Sequence, residues 1–474
     1  MPKNQYDLDR RKFIKLTGAA TLGSAIGTRG AFAAESPQDL YRRVIPIRKG
    51  LDASWATSLV KRGAAKDQPI RAEQSNELSN IGMTVGGIGC GTVYLSGDGQ
   101  LYVWDIFHRP NEGVVAQRLP KEQIPKGLEV LGGHKKIVRE RDGSNYIKPP
   151  TPDRFPNPFR QEFILEINGE KSPRPMRQDG WKQVKFTGQW PLGTVDYSDP
   201  GTKLTAQLDA WTPFIPLDTA NSSIPVTVMD YTLTNTGDQA ISGKLTGIWE
   251  NPVLVYTRKK ETHAVGTALK HQNGVTLMSH FLKTKQIIKA GDFGTATLAC
   301  LDHADANKTN DGLVRSFELE AGQSLTVTYL LCWHFPQIRK LHRSLGPQQP
   351  HYTKQYQDAD DVAIRTSKQI DKLRESTMRW VKTWNDSTLP QWLLDRSILT
   401  TNTLQTATCE VLAGDDYPDG RFWAWEGIGC CPGTCAHVWH YAQGVAHLFP
   451  SLERNLREIT DYGIAINKDG SIRF

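Results

Sequence analysis

Thr227-Val228-Met229-Asp230-Tyr231-Thr232-Leu233-Thr234-Asn235 is β-branched and aromatic along its length, and it stops at Thr236-Gly237-Asp238, a turn composition. The residue types fit a pleated, half-buried surface, and the turn supplies the reversal that an antiparallel partner needs. Leu325-Thr326-Val327-Thr328-Tyr329-Leu330-Leu331-Cys332-Trp333 repeats the pattern. Short strands with frequent Gly, Asn and Asp turns and proline pairs such as Pro149-Pro150 run from about 76 to 335. They argue for a large antiparallel β-sandwich rather than alternating βα units. Residues 112–160 are basic and proline-rich and read as a loop excursion.

The period changes after about 350. Val362, Ile370, Leu373 and Val381 within residues 358–384 have helical spacing. Pro390 is placed to start a second helix, through Leu404 to about Val411. Val438, Tyr441, Val445, Leu448, Leu452, Leu456 and Ile459 step by three or four. Pro450 divides that run into two helices and stands near the start of the second, whose outer face pairs Glu453 with Arg457. These apolar faces need partners, and few helices are present to supply them. The expectation is therefore a stable β-domain followed by a loosely held segment after about 375.

The chain has 474 residues, 38% apolar and 23% charged, which is ordinary globular usage and excludes fibrous or disordered classes. Seven cysteines are too few for a disulfide scaffold. The net charge of +7 hints at nucleic acid, but six cations and two carboxylates put +4 of it in the first 33 residues. The remaining charge gives nucleic-acid binding no support. Those 33 residues contain Arg10-Arg11-Lys12-Phe13, a weakly apolar Gly/Ala run from Leu16 to Gly27, and Ala31-Phe32-Ala33. The pattern resembles a twin-arginine signal with a small-x-small cleavage site. It implies the twin-arginine export machinery as a partner and a periplasmic or secreted product. No segment reaches the apolar length of a stable membrane span. The expected organisation is a signal peptide over 1–33, a leader over 34–75, a β-sandwich domain over 76–350 and a helical domain beginning at 351–474.

Three stretches invite chemistry. Gly86-Gly87-Ile88-Gly89-Cys90-Gly91-Thr92 lacks the Lys-Ser/Thr of a P-loop and the last glycine of a dinucleotide fingerprint. It reads as a close backbone approach to another domain or to a ligand. Asp419-Gly420-Arg421-Phe422-Trp423-Ala424-Trp425-Glu426-Gly427 places a carboxylate beside two indoles. Indole faces stack on sugar C–H surfaces, and a carboxylate serves an anomeric centre. A structural glutamate is the plainer alternative, and Asp415, Asp416 and Asp419 shape the preceding turn. Cys430, Cys431, Cys435 and His437 could bind zinc, form a disulfide with Cys409 as one candidate partner, or be buried thiols. Neighbouring cysteines suit a tetrahedral metal poorly.

Together these stretches resemble glycoside hydrolase family 116, the family of non-lysosomal glucosylceramidase and related bacterial β-glucosidases. Gly82-Met83-Thr84-Val85-Gly86-Gly87-Ile88-Gly89-Cys90-Gly91-Thr92 is similar to its glycine-rich opening, with Thr84-Val85 in place of Pro-Leu. Ala210-Trp211-Thr212-Pro213-Phe214-Ile215-Pro216-Leu217 and Asn221-Ser222-Ser223-Ile224-Pro225-Val226 are similar to a stretch of its N-terminal domain. Gly420-Arg421-Phe422 through Trp425-Glu426-Gly427 is similar to its catalytic domain. The resemblance implies an N-terminal β-sandwich followed by the first helices of an (α/α)6 barrel, incomplete at Phe474. It implies a retaining glycosidase acting on β-glycosides with no cofactor. Glu426 falls on the nucleophile and Trp423, Trp425 and His437 on the pocket wall. His437 stands where the family has a sugar-binding aspartate, and the acid/base aspartate is expected beyond Phe474. The chain as it stands is therefore expected to be inactive on natural β-glucosides. The rivals are a non-catalytic carbohydrate-binding β-sandwich protein and a metal-dependent exported protein using the 430–437 cluster.

Overall fold

The computed structural model describes residues 70–72, 78, 80–108, 117–118, 139–140, 152, 157–259, 264–284, 287–306, 311–338, 346–424 and 444–472. The chain divides into two units, Met1–Gly63 and Ala64–Phe474, and all described residues belong to the second. Arg10 and Arg11 lie outside them.

Two antiparallel sheets dominate. In the larger, the central strand Val226–Asn235 pairs with Leu204–Trp211 on one side and Ser324–His334 on the other. The sheet extends through Leu192–Ser198, Gln183–Gln189 and Ile70–Ala72 at one end, and through Thr295–Cys300, Val275–Leu282 and Val265–Gln272 at the other. The smaller sheet is ordered Asp305–Ala306, Gly312–Leu319, Ile241–Trp249, Gln161–Ile167 and Arg174–Pro175. Rings from both sheets meet between them: Phe163 lies 4.9 Å from Tyr231 and 5.2 Å from Tyr329. The Tyr329 hydroxyl donates to the Leu245 carbonyl at 2.8 Å. This is the expected sandwich. A third sheet, Met83–Thr84, Thr92–Leu95 and Leu101–Asp105, carries the glycine-rich loop.

Asn235 explains why the quoted strand stops where it does. Its amide nitrogen donates to the carbonyls of Gln239, Leu319 and Glu320, and its oxygen accepts the Gly237 N–H at 2.9 Å. Asp230, the one carboxylate in that strand, is buried and satisfied by the Trp211 indole at 2.8 Å and the Thr328 hydroxyl at 2.6 Å. The Arg374 guanidinium adds a bond at 3.1 Å and sits over the Trp211 ring. That ion pair ties the sandwich to the helix Ile370–Asn385, whose buried face carries Ile370, Leu373, Thr377 and Val381.

The helical spacing over 358–384 resolves into two helices, Ala359–Ser367 and Ile370–Asn385. Asp358 caps the first by accepting the Asp361 N–H at 2.8 Å. The helix expected from Pro390 to about Val411 is corrected. It runs only over Gln391–Ile398, tightens to a 3₁₀ turn over Leu399–Gln405, and gives way to a strand at Cys409–Leu412. The cause is local. Thr400, Thr401 and Thr406 bond back to the carbonyls of Ser397, Ile398 and Thr403, offering the backbone an alternative to the α-helical ladder. Further on, helices Gly444–Leu448 and Pro450–Arg454 flank the proline as expected, the second passing into a π-helical segment Asn455–Ile464. Glu453 and Arg457 pair at 2.9 Å.

The loosely held C-terminal segment is also corrected where it is described. Val445, Leu452 and Leu456 are buried. Beside them, Phe449 packs edge-on to Phe214 of the sandwich at 5.4 Å, and the Leu217 N–H donates to the Leu448 carbonyl at 2.7 Å. Phe214 also meets Trp190 and Trp380, so one ring joins the sheet, the long helix and the last helices. Val438 and Tyr441 lie outside the described residues.

Candidate active site at the 409–424 hairpin

The glycine-rich loop is the tight approach that its sequence suggests, and its neighbours are the 221–226 stretch and the strand Cys409–Leu412, which pairs with Arg421–Ala424. A Cβ on Gly87 would stand 2.3 Å from the Ile224 carbonyl oxygen, and one on Gly89, with φ of +66°, would stand 2.6 Å from the Val411 nitrogen. The Ile88 N–H donates to the Ser222 carbonyl at 2.8 Å, and the Cys90 thiol donates to the Ser223 carbonyl at 3.2 Å. These contacts press the loop against protein at Gly87 and Gly89.

Cys409–Leu412 pairs antiparallel with Arg421–Ala424, with Cys409 opposite Ala424, Glu410 opposite Trp423, Val411 opposite Phe422 and Leu412 opposite Arg421. Alternation gives the hairpin two faces. Cys409, Val411, Phe422 and Ala424 enter the main core, while Leu412 and Trp423 form a separate small cluster with Ile338. The second face therefore carries Glu410, Leu412, Arg421 and Trp423. Trp423 is 5% exposed, with the Arg421 guanidinium 5.6 Å from its ring centre. No described residue accepts from its indole N–H or from Arg421 Nε, although both atoms are buried. Asp415, Asp416 and Asp419 are exposed in the connecting turn.

Glu410 is 1% exposed. Its carboxylate oxygens lie 3.3 and 3.2 Å from Nδ1 of His108, and Nε2 of that ring lies 3.0 Å from the Tyr352 hydroxyl. The hydroxyl also accepts the Phe335 N–H at 3.1 Å and faces the Phe335 carbonyl at 3.0 Å. Burial, and after it the Glu410 charge, holds the Cys90 thiol well above its ordinary range. Burial pushes the Cys409 thiol up to about 12. Both are inert thiols, since the thiolate is the reactive form. Cys409 is a buried free thiol, and the 430–435 cysteines lie outside the described residues.

Of the expected site residues, Trp423 is described. Trp425, Glu426, His437 and the weak metal candidates Cys430, Cys431 and Cys435 lie outside the described residues. Among the described residues no group of three or more His, Cys, Asp or Glu side chains could hold a metal, and no helix is long and apolar enough to cross a membrane. The His108–Glu410–Tyr352 network has no counterpart in the sequence reading. Its only local signal is the alternation in Cys409-Glu410-Val411-Leu412, a strand pattern with a charge on one face.

Residues 82–315 match the family model described as "beta-glucosidase 2, glycosyl-hydrolase family 116 N-term". No curated protein matches the chain. Among solved structures, one described as a kojibiose phosphorylase from the human microbiome is 9% identical over 72% of this chain and 37% of its own length, with a TM-score of 0.31. A polysaccharide lyase is 10% identical over 57% of this chain and 33% of its own, with a TM-score of 0.23. A protein of Klebsiella pneumoniae described as an aldose 1-epimerase is 12% identical over 57% of this chain and 88% of its own, with a TM-score of 0.24. The chain thus spans about a third of the length of the first two. The antiparallel sandwich, the glycine-rich loop at its opening and the match over 82–315 agree, and residues 82–315 are a glycosyl-hydrolase family 116 N-terminal domain.

Proposed function

We propose that the protein is an exported, retaining glycosidase acting on β-glycosides, with Glu426 as its nucleophile and Trp423, Trp425 and His437 against the sugar. One observation supports this reading above others. The family 116 N-terminal domain packs its glycine-rich loop directly on Val411, in the hairpin whose second strand, Arg421–Ala424, leads into Trp425-Glu426-Gly427. In such a reaction the carboxylate attacks the anomeric carbon while a second carboxyl group, about 5–5.5 Å away, protonates the departing oxygen. Water then hydrolyses the glycosyl-enzyme, with the second group acting as base. The helices after residue 350 would begin the (α/α)6 barrel that supplies that second group.

A 2-deoxy-2-fluoro β-glycoside, incubated with the intact protein and followed by peptide mass spectrometry, tests the assignment. Label on Glu426 is expected. Label elsewhere overturns the nucleophile, and sugar binding without any covalent label favours a non-catalytic carbohydrate-binding protein. Export rests on Arg10-Arg11 and the Ala31-Phe32-Ala33 site. Replacing both arginines with lysine should leave uncleaved precursor in the cytoplasm, and normal processing of that double variant would remove the signal assignment.

A further inference from the structure

A strand with Cys409 and Val411 in the core has no packing need for a carboxylate between them, yet Glu410 is buried on the opposite face. Taking a carboxylate from water is costly, and an apolar residue of similar volume commonly holds a hairpin as well or better. Here the cost is met by a chain of partners from three separate parts of the fold. His108 follows the third-sheet strand Leu101–Asp105, Tyr352 opens the short helix Tyr352–Gln355, and Phe335 follows the strand Ser324–His334. His108 itself has a φ of +49°, in the left-handed region. Such a backbone persists only where its surroundings over-determine it, and it is found most often at functional sites.

The position of the network matters as much as its chemistry. Glu410 and Trp423 are directly opposed in the ladder, so their side chains stand together on one face. On that face both carboxylate oxygens meet His108 Nδ1, while the Trp423 indole N–H and Arg421 Nε are buried without an acceptor among the described residues. A face with its acceptor occupied and two donors waiting is suited to a ligand rich in hydroxyl oxygens. We propose that Glu410 is a positioning residue. Clamped by His108 and Tyr352, it fixes the rung that carries Trp423 and, through it, the strand that leads to Glu426. The proposal rests on the glycosidase reading above and adds to it the device that sets the approach of the nucleophile's strand.

The test is Glu410→Gln in the intact protein, which keeps the volume but replaces the carboxylate. Two readouts are needed: steady-state kinetics on an aryl β-glucoside, and hydrogen exchange followed peptide by peptide. Misplacement of a catalytic group by about 1 Å is enough to lower turnover about 10²-fold. The variant should therefore lose kcat on that scale under conditions where it remains folded, with KM little changed. Faster exchange should be confined to 409–412 and 421–424, with 226–235 unaffected. A purely structural role predicts the reverse: a lower melting temperature, unchanged kcat per folded molecule and exchange spread through the sandwich. Either unchanged kcat or spread exchange overturns the proposal. Should Glu410→Gln fail to fold, Tyr352→Phe removes only the far hydroxyl and is held to the same two outcomes. A wild-type protein inactive on every aryl β-glycoside sinks the glycosidase reading. In that case exchange confined to the hairpin supports the clamp, and its absence removes the clamp too.

Discussion

Gly89 sits where the loop of the third sheet touches the hairpin, and its requirements can be separated. Its φ of +66° is one, and the space for a side chain is the other: a Cβ would stand 2.6 Å from the Val411 nitrogen and 2.7 Å from Val411 Cγ2. Backbone atoms cannot swing aside, so Gly89→Ala incurs both left-handed strain and overpacking, together about 2–4 kcal/mol. Gly322 separates the two contributions. It has a φ of +75°, and a Cβ there would meet nothing within 4 Å, so Gly322→Ala should cost the left-handed strain alone, about 1–2 kcal/mol. Urea unfolding midpoints of the two variants check this, and equal losses would remove the claim that the loop is pressed against the hairpin. The residue types of the loop announced a close approach. What it approaches, Ile224 and Val411, lies well over a hundred residues away and had no signature in the loop itself.

At the level of elements, sequence and structure agree where sequence-local chemistry decides. Thr227–Asn235 is a strand because its residues suit a sheet, and Asn235 ends it by committing its side chain to the turn. Pro450 begins a helix because its missing N–H costs nothing in the first turn. The helix through Val411 failed because apolar spacing was weighed over the Thr400–Thr403 run, whose hydroxyls compete for backbone carbonyls. The expectation of unpartnered C-terminal faces failed for a different reason: periodicity identifies an apolar face but not what covers it, and here Val445, Leu452 and Leu456 are buried and Phe449 meets Phe214 of the sandwich. The site shows the same division. Trp423 stands out in the sequence beside Glu426, which lies outside the described residues, whereas the buried Glu410 does not stand out, because its partners His108 and Tyr352 come from distant parts of the chain. A lone glutamate in a four-residue strand is ordinarily a solvated side chain, and only the tertiary fold makes it otherwise.

The molecule as a whole should respond to acid through its buried histidines. Burial lowers the pKa of His280 from its ordinary value to about 4, and lowers His334 and His351 as well. His280 stands on the strand Val275–Leu282, with Nδ1 3.0 Å from the Thr267 hydroxyl and its ring edge-on to Trp249. The surroundings accept a neutral ring and resist a cation. A histidine whose folded pKa is depressed binds fewer protons folded than unfolded, so stability rises with pH across the interval between the two values. For His280 that interval runs from about 4 to 6.5. Its contribution is complete above pH 6.5, declines as pH falls through the interval, and is gone below about 4. The shift corresponds to about 3 kcal/mol at full extent. Unfolding measured in urea at pH 7.5 and pH 4.5 should therefore show a marked loss at the lower pH. His280→Gln, which cannot acquire the charge, should lose less between the same two values by an amount approaching that figure. The comparison is a difference of differences, so any direct cost of the substitution, such as a weaker bond to Thr267, cancels between the two pH values. An identical pH loss in wild type and variant would mean that His280 takes up its proton as readily in the folded protein as in the unfolded one, and that the acid sensitivity lies with His334, His351 or the carboxylates.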